Sequence, residues 1–224
     1  MTQPPQSEQP EPQRAGALPA HLPIFPLTGV LLLPRGLLPL NIFEPRYLAM
    51  TRAALAGDKL IGMVQPRENE GGKKPAVYHT GCAGEIVSAT DTDDGRILIT
   101  LRGICRFDIA EELETTTSFR QVRADFAGYK HDLLPAADGQ FDRSRMLKAL
   151  RGFLDTNNLA ADWPAIEATP DELLVHSLAM ICPFAPAEKQ AFLDSRDFKH
   201  RAELLSALLE MAQLQRPGSG NSLN

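Results

Sequence analysis

The sequence predicts an α+β fold, in which a small, partly open β-barrel of about six or seven short strands and one helix is followed by a C-terminal α-helical bundle. Three patterns lead to this prediction. Short apolar runs bounded by proline and glycine fill the opening part, residues 81–128 alternate apolar and polar side chains, and apolar residues recur at helical spacing beyond residue 140. The 224 residues are 43% hydrophobic, which is enough for a packed core.

Two apolar runs begin the folded part of the chain, at residues 22–33 and 37–43, and both are interrupted by proline. Each is predicted to form a strand near a sheet edge or at the closure of a small barrel, because proline cannot donate to a central ladder. A turn is predicted between them at residues 34–36, where the sequence is Pro-Arg-Gly. The opening unit therefore begins with two strands and a tight connection.

The apolar pattern then takes the period of a helix from Glu44 to Ala56. Pro45 suits the first helical turn, and Gly57 suits a left-handed residue that ends the helix. A short apolar run at residues 60–64 is predicted to return as a strand. The predicted buried face of the helix contains Tyr47, Leu48, Thr51, Ala54 and Leu55.

Alternation with a period of two predicts antiparallel strands over residues 81–128, each with one buried and one solvated face. The alternation is clear at residues 97–109 and 122–126, with Leu98 as an exception. Residues 93–95, Asp-Asp-Gly, predict a hairpin, because Asp-Gly tolerates the positive φ angles of tight turns. These strands complete the predicted barrel, residues 21–130.

The remaining chain predicts four amphipathic helices within a bundle at residues 140–214, after a polar linker at residues 131–139. Thr169 is predicted to cap one of them, with Glu172 completing a capping box. Apolar spacing or helix-start signals place the four helices at residues 141–157, 169–181, 186–193 and 197–214.

The two ends of the chain are predicted to be disordered tails, residues 1–20 and 215–224. Residues 1–20 contain five prolines and four glutamines and bury little apolar surface. They lack the basic start and continuous apolar core of a signal peptide, and no window reaches eighteen apolar residues. A net charge of −5 without a basic cluster argues against nucleic acid as the main partner, although it leaves room for a local basic patch. The prediction is a cytoplasmic protein that binds neither membrane nor nucleic acid.

No complete catalytic or metal-binding pattern is present. The three cysteines, Cys82, Cys105 and Cys182, have no paired spacing, which favours buried apolar thiols over a disulfide framework or a zinc site. The glycines in residues 68–75 do not match a phosphate-binding loop, so a mobile surface loop is predicted there. We predict no cofactor and no catalytic residue. His176 lies six residues before Cys182, which puts the two on different helical faces, but a Cys-His pair assembled in space remains an alternative.

One set of spaced segments matches a known family in composition and order, namely residues 22–27, 31–34, 39–40, 43–47, 57–58, 81–86, 94–95 and 101–107. Together they resemble the amino-terminal, substrate-binding domain of Lon proteases, and in particular the stand-alone bacterial proteins that carry this domain alone. The resemblance implies a PUA-like pseudo-barrel with a docked helical bundle over about residues 21–214. It also implies a substrate-binding role related to proteolysis, without the ATPase and protease domains.

The junction between the second strand and the first helix is the first candidate binding site. Phe43, Arg46 and Tyr47 could line a groove for an extended or unfolded peptide, with the aromatic rings as anchors and the arginine bound to a carbonyl or carboxylate. The structural alternative is that Glu44 satisfies free helix amides while Arg46 pairs with a nearby acid. The sequence leaves both open.

The turn at Arg35 and the following Leu37 form a second candidate, since a leucine-rich turn can expose a patch for a partner or can be core. The function predicted from the sequence is a non-catalytic module that binds unfolded polypeptide or a protein partner, and self-association is a further possibility. The alternatives are a small-ligand site in the barrel mouth and an uncharacterised hydrolase.

Overall fold

The computed structural model describes residues 18–67, 75–136 and 141–214. The predictions for residues 1–17 and 215–224, and for the loop at 68–74, lie outside these residues. The described chain combines one six-stranded sheet with helices, which confirms the predicted α+β class. The strands are β1 (His21–Pro26), β2 (Leu37–Ile42), β3 (Leu60–Val64), β4 (Thr80–Asp91), β5 (Ile97–Glu112) and β6 (Gln121–Asp125).

The strand order in the sheet is β2-β5-β4-β3-β1-β6, and β6 also pairs with β5. The pairing therefore returns on itself through five strands, while β2 lies outside this ring. The 16 residues of β5 pair with β4 along one side, and with β2 and then β6 along the other. Only β1 and β3 are parallel among these pairs. Strand β5 therefore pairs with three of the other five described strands.

Seven helical segments accompany the sheet in the described residues. Helix α1 connects β2 to β3, and the other segments follow β6. One helix, α3, is absent from the sequence prediction because its six residues are too few to show a helical period. The segments are α1 (Pro45–Ala56), a 3₁₀ helix (Ala127–Leu133), α2 (Arg143–Thr156), α3 (Trp163–Ala168), α4 (Asp171–Ile181), α5 (Pro186–Asp194) and α6 (Phe198–Leu214).

Two apolar clusters form the core. The larger one packs one face of the sheet and α1 with α2, α4, α5 and α6, so the helices are part of the same core as the strands. The smaller one fills the space enclosed by the returning strands, around Leu22, Ile24, Phe107 and Val122, which are all fully buried. Burial of these side chains stabilises the fold by about 1.5–3 kcal/mol for each large residue.

The tight turn predicted at residues 34–36 is present, and it starts β2. The Gly36 N–H donates to the Leu33 carbonyl at 3.0 Å, and Arg35 has a φ of +63°. Opposite this turn, the Gly103 carbonyl accepts from the Arg35 N–H at 2.7 Å, while the Gly103 N–H donates to the Gly36 carbonyl at 2.9 Å. Two residues therefore oppose one, as in a β-bulge that follows a turn.

The hairpin predicted at residues 93–95 is also confirmed. Gly95 has a φ of +80°, and the Thr92 N–H donates to the Arg96 carbonyl at 3.0 Å. The loop joins β4 to β5, the pair with the longest ladder in the sheet. A local signal was sufficient here because the turn residues themselves fix the geometry.

Two predicted boundaries are wrong. The strand predicted over residues 22–33 ends at Pro26. The segment that follows is irregular, and its Leu31, Leu32 and Leu33 side chains are buried in the larger apolar cluster. Gly57 has a φ of −119° rather than a left-handed value. The left-handed residue after α1 is Lys59, with a φ of +58°, and its N–H donates to the carbonyl of Ala54.

The capping box predicted at Thr169 is wrong as well. The Thr169 hydroxyl donates to the Ala165 carbonyl of the preceding helix, and α4 begins after Pro170 without a side-chain cap. Glu172 does not return to the helix start, because it accepts two hydrogen bonds from the Arg35 guanidinium and one from the Ala136 N–H. Glu172 therefore forms a long-range ion pair with Arg35 in place of the predicted capping interaction.

A buried arginine joins the sheet to the helices. Arg106, on β5, is 1% exposed and donates to both carboxylate oxygens of Asp132 at 2.8 and 3.0 Å. It also donates to the carbonyls of Leu193 and Ser195 at the end of α5. Burial opposes the ionisation of Asp132, but the Arg106 guanidinium outweighs it and holds the pKa of this carboxyl below its usual value. We call these contacts of Arg106 with Asp132, Leu193 and Ser195 the joint between β5 and the helices. The linker predicted at residues 131–139 is therefore wrong at Asp132, which belongs to this joint.

His176, on α4, is fully buried beside the same joint. One ring nitrogen, Nδ1, lies 2.8 Å from the Pro34 carbonyl and the other, Nε2, lies 2.7 Å from Nη1 of Arg201. A carbonyl only accepts and a guanidinium only donates, so the ring is neutral with its proton on Nδ1. Burial, followed by the Arg201 charge, lowers the pKa of His176 well below 6.5.

Acid is expected to destabilise the protein through His176. Its folded pKa lies below the unfolded one, so the unfolded chain binds a proton first and the free energy of unfolding falls below about pH 6.5, by up to about 1.4 kcal/mol per pH unit. Urea denaturation between about pH 7.5 and 5.5 measures this slope. His176→Asn keeps a donor toward Pro34 without a titrating ring and should flatten it. Equal slopes in the parent and in His176→Asn would contradict the assignment of this acid sensitivity to His176.

Candidate functional site

A groove lies where β1, the start of α1 and the loop before β6 meet. Its volume is about 350 Å³, and it is open to solvent on one side. The groove combines proline and aromatic surface with two arginine side chains. Its lining residues are Ile24, Pro26, Arg46, Tyr47, Pro66, Pro75, Ser118, Phe119 and Arg120.

The start of α1 positions Arg46 and Tyr47 at this groove. Pro45 occupies the first helical turn, and the Glu44 carbonyl accepts the N–H groups of Tyr47 and Leu48, each at 2.9 Å. The Glu44 carboxylate makes no cap and pairs with Arg46 at 2.8 Å instead. The structural alternative from the sequence is thus present in part, since Glu44 serves the helix amides through its backbone and Arg46 has an acidic partner.

Tyr47 is the rigid element of the groove. Its ring packs on Phe25 with centroids 4.2 Å apart, and the Arg46 guanidinium lies 4.4 Å above it. The side chain is only 8% exposed, and burial raises the pKa of its hydroxyl. Within the described residues this hydroxyl has no hydrogen-bond partner, so it is available to a ligand in the groove.

Phe119 and Arg120 form the opposite wall, and the sequence analysis did not identify them. Arg120 makes a two-point ion pair with Glu112, at 2.9 and 2.6 Å, and donates to the Pro75 carbonyl at 2.9 Å. This pairing holds the guanidinium in one orientation at the groove. The only local signal is an aromatic residue within a Thr- and Ser-rich loop, which is too weak to predict a site.

The other predicted site residues do not line this groove. Phe43 follows β2 and is 62% exposed, with the Arg96 guanidinium 5.9 Å from its ring. Leu37 begins β2 and is 60% exposed. The Arg35 guanidinium donates hydrogen bonds to the Glu172 carboxylate and to the Asp132 carbonyl. Arg35 therefore connects the turn to α4 and the 3₁₀ helix. The structure therefore brings Glu44, Arg46 and Tyr47 together, places Phe43 next to them in the chain, and separates Arg35.

The thiols and the buried histidine are not arranged for nucleophilic catalysis. All three cysteines are buried, and burial raises their thiol pKa values, to about 12 for Cys105 and about 11 for Cys182. Both nitrogens of His176 already have partners, so it cannot serve Cys182 as a base. Among the described residues, no cluster of three His, Cys, Asp or Glu side chains could bind a metal, and no helix is long and apolar enough to cross a membrane.

Comparison with known families gives one match that extends over most of the chain. Residues 21–211 match the family described as the ATP-dependent protease La (LON) substrate-binding domain. The Lon protease of Dictyoglomus thermophilum is 25% identical over 210 residues, 93% of this chain and 25% of that protein. Lon protease 2 of Myxococcus xanthus is 25% identical over 202 residues, 86% of this chain and 24% of that protein. The chain thus spans about a quarter of these relatives.

Solved structures show the same fold. A Lon N-terminal domain protein from Xanthomonas campestris superposes with a TM-score of 0.60 at 21% identity, over 84% of this chain and 97% of that one. The N-terminal domain of a Lon protease from the Mycobacterium avium complex superposes with a TM-score of 0.57 at 15% identity, over 88% of this chain and all of that one. These structures confirm the α+β fold of Lon N-terminal domains that the sequence resemblance implied.

Proposed function

Because the chain belongs to the Lon substrate-binding domain family, we propose that it binds unfolded segments of protein substrates without catalysing a reaction, and that the groove beside Tyr47 is a contact site. One observation carries the proposal: the groove presents a fixed aromatic ring, a hydroxyl with no hydrogen-bond partner among the described residues and two oriented guanidinium groups on one open surface. Unfolded polypeptide offers the complementary groups, namely apolar side chains, carbonyls and carboxylates.

Each part of the groove supplies a different contact. Tyr47 and Phe119 offer apolar surface to an aromatic or aliphatic side chain, and aromatic residues are frequent anchors at protein interfaces. The Tyr47 hydroxyl can donate to a backbone carbonyl. Arg46 and Arg120 already have glutamate partners, so they attract a ligand carboxylate only weakly and act chiefly as planar donors at the groove wall. The arrangement favours a tolerant site over one that reads a single sequence.

Binding of fluorescently labelled unfolded casein is expected to be saturable and independent of ATP, and to weaken in groove variants. Arg46→Ala should weaken binding about tenfold, because it removes a donor and the cation above Tyr47. Tyr47→Phe should weaken it about fivefold, since it removes one hydrogen bond but keeps the ring on Phe25. Fluorescence anisotropy, together with thermal unfolding of each variant, makes the measurement.

Arg52→Ala is the matched control, because Arg52 is exposed on α1 and does not line the groove. It should bind labelled casein as the parent does. Loss of affinity in Arg52→Ala equal to that in Arg46→Ala would show a general charge effect. Parent-like affinity in both Arg46→Ala and Tyr47→Phe, with unchanged thermal unfolding, would remove the groove from the proposal.

A further inference from the structure

Strand β2 has one side that no other strand of the described residues covers. It is the first strand in the sheet order and pairs with β5 alone, while the ring of the other strands closes through β5 and β6. Leu37, Pro39 and Asn41 are all exposed along it. The described residues therefore contain an open sheet edge at the strand that leads directly to Phe43 and α1.

The register with β5 determines which backbone groups face this edge. The Gly103 N–H donates to the Gly36 carbonyl, and Leu37 through Ile42 then pair one to one with Arg102 through Ile97. In an antiparallel ladder every second residue directs its N–H and C=O to the partner strand. Leu38, Leu40 and Ile42 therefore bond to β5, and Leu37, Pro39 and Asn41 direct their backbone groups outward.

The outward groups form a partial ladder. Leu37 and Asn41 each offer an N–H and a carbonyl, whereas Pro39 offers only a carbonyl because it has no N–H. Two β2 strands from separate copies, paired about Pro39, would bring two prolines into one ladder and lose two donors. A ladder between β2 and an extended segment of another polypeptide lacks only the one N–H donor at Pro39. The edge therefore favours an unfolded polypeptide over a second copy.

Apolar side chains surround the edge on the solvent face of the sheet. Leu37 is 60% exposed and Phe43 is 62% exposed. Leu98, the residue of β5 that pairs with Asn41 of β2, is 46% exposed. A shallow depression of about 350 Å³, bounded by β2, β5 and β4, lies on this face. A strand added to β2 would direct alternate side chains toward Leu37, Leu98 and Phe43.

We propose that an extended segment of unfolded polypeptide adds to β2 as a further strand, with apolar side chains at alternate positions. This inference rests on the proposed function and specifies how the substrate is held. Main-chain hydrogen bonds do not depend on the side chains of the ligand, which suits a domain that accepts many unfolded sequences. The added strand passes next to Phe43, which lies between β2 and α1 in the chain.

Two substitutions at the edge act in opposite directions. Pro39→Val introduces an outward N–H and is expected to tighten binding of an extended apolar peptide about fivefold. Asn41→Pro removes an outward N–H without removing a bond to β5, and is expected to weaken it about fivefold. The probe is a labelled peptide of alternating valine and threonine, measured by anisotropy beside the same peptide N-methylated at every residue, which leaves it no N–H for either edge. The N-methylated peptide should bind weakly to all variants.

Pro164→Val is the control, because Pro164 is an exposed proline on α3, away from the sheet. It should bind as the parent does, and thermal unfolding should show each variant folded. Unchanged affinity in both Pro39→Val and Asn41→Pro, or equal binding of the N-methylated peptide, would overturn the edge proposal. Dimers of Pro39→Val in light scattering, without tighter peptide binding, would assign the edge to a second copy and overturn it too.

The same titration separates this inference from the proposed function. Edge variants that bind as the parent does, together with weakened Arg46→Ala, would leave the groove as the binding site and remove β2. Altered binding in the edge variants, with Arg46→Ala unaffected, would retain β2 and remove the groove. A parent protein that binds neither the peptide nor labelled casein at roughly 100 μM, where binding is worth about 5 kcal/mol, would overturn both.

Discussion

Replacing Arg106 with methionine is expected to lower the free energy of unfolding by about 3–5 kcal/mol, because it removes the guanidinium that neutralises the buried Asp132 carboxylate and leaves the backbone N–H of residue 106 and the His131 ring beside it. The same change removes the donors to the carbonyls of Leu193 and Ser195, which then lie unsatisfied at the end of α5. Methionine keeps much of the volume and the apolar stem of the arginine. Urea denaturation followed by circular dichroism at neutral pH measures the loss.

Arg123→Met is the matched control for this prediction. Arg123 pairs with Glu111 at 3.3 Å on the surface, with both side chains more than half exposed, and such a pair contributes about 0–1 kcal/mol. A second variant, Arg106→Met with Asp132→Leu, removes both buried charges and is expected to recover part of the loss. If Arg106→Met were as stable as Arg123→Met, the joint between β5 and the helices would not be a source of stability.

Replacing Gly103 with alanine is expected to cost about 1–3 kcal/mol of unfolding free energy. A methyl group there would lie 2.0 Å from the Leu33 carbonyl oxygen and 2.7 Å from its carbon, so the backbone of the turn before β2 must move. Because Arg35 and Gly36 bond to Gly103, the movement also disturbs the start of β2. Thermal unfolding measures the stability, and anisotropy with the alternating peptide measures the effect on the edge.

Gly128→Ala tests whether the effect comes from this close approach. A methyl group at Gly128 would have no heavy atom within 4 Å, and the residue does not have a positive φ. Its stability should stay within about 0.5 kcal/mol of the parent. Equal losses at Gly103 and Gly128 would show a backbone entropy effect common to glycines in place of the contact with Leu33.

The sequence predicts those parts of the fold that depend on neighbouring residues. The hairpin at residues 93–95 and the strand at residues 60–64 follow from turn chemistry and a continuous apolar run, and both are present. The prediction fails where a distant partner decides. Glu172 matches a capping box locally, yet it bonds to Arg35, which lies 137 residues earlier.

The same distinction applies to the candidate site. Glu44, Arg46 and Tyr47 come from one strand-to-helix junction, so their adjacency could be predicted from the chain. Phe119 and Arg120 reach the groove only because β6 pairs with β1, and that pairing has no local signature. The free edge of β2 likewise depends on the strand order of the whole sheet.

The pairing of β1 with β6 has a consequence for the order of folding during synthesis. His21 and Leu22 pair with Arg123 and Val122, so β1 is made first and its antiparallel partner about a hundred residues later. Until β6 leaves the ribosome, the small cluster around Leu22 and Phe107 has no closing strand and its apolar side chains are exposed. Contacts this distant in sequence form slowly, so the nascent chain itself passes through the kind of unfolded state that the finished domain is proposed to bind.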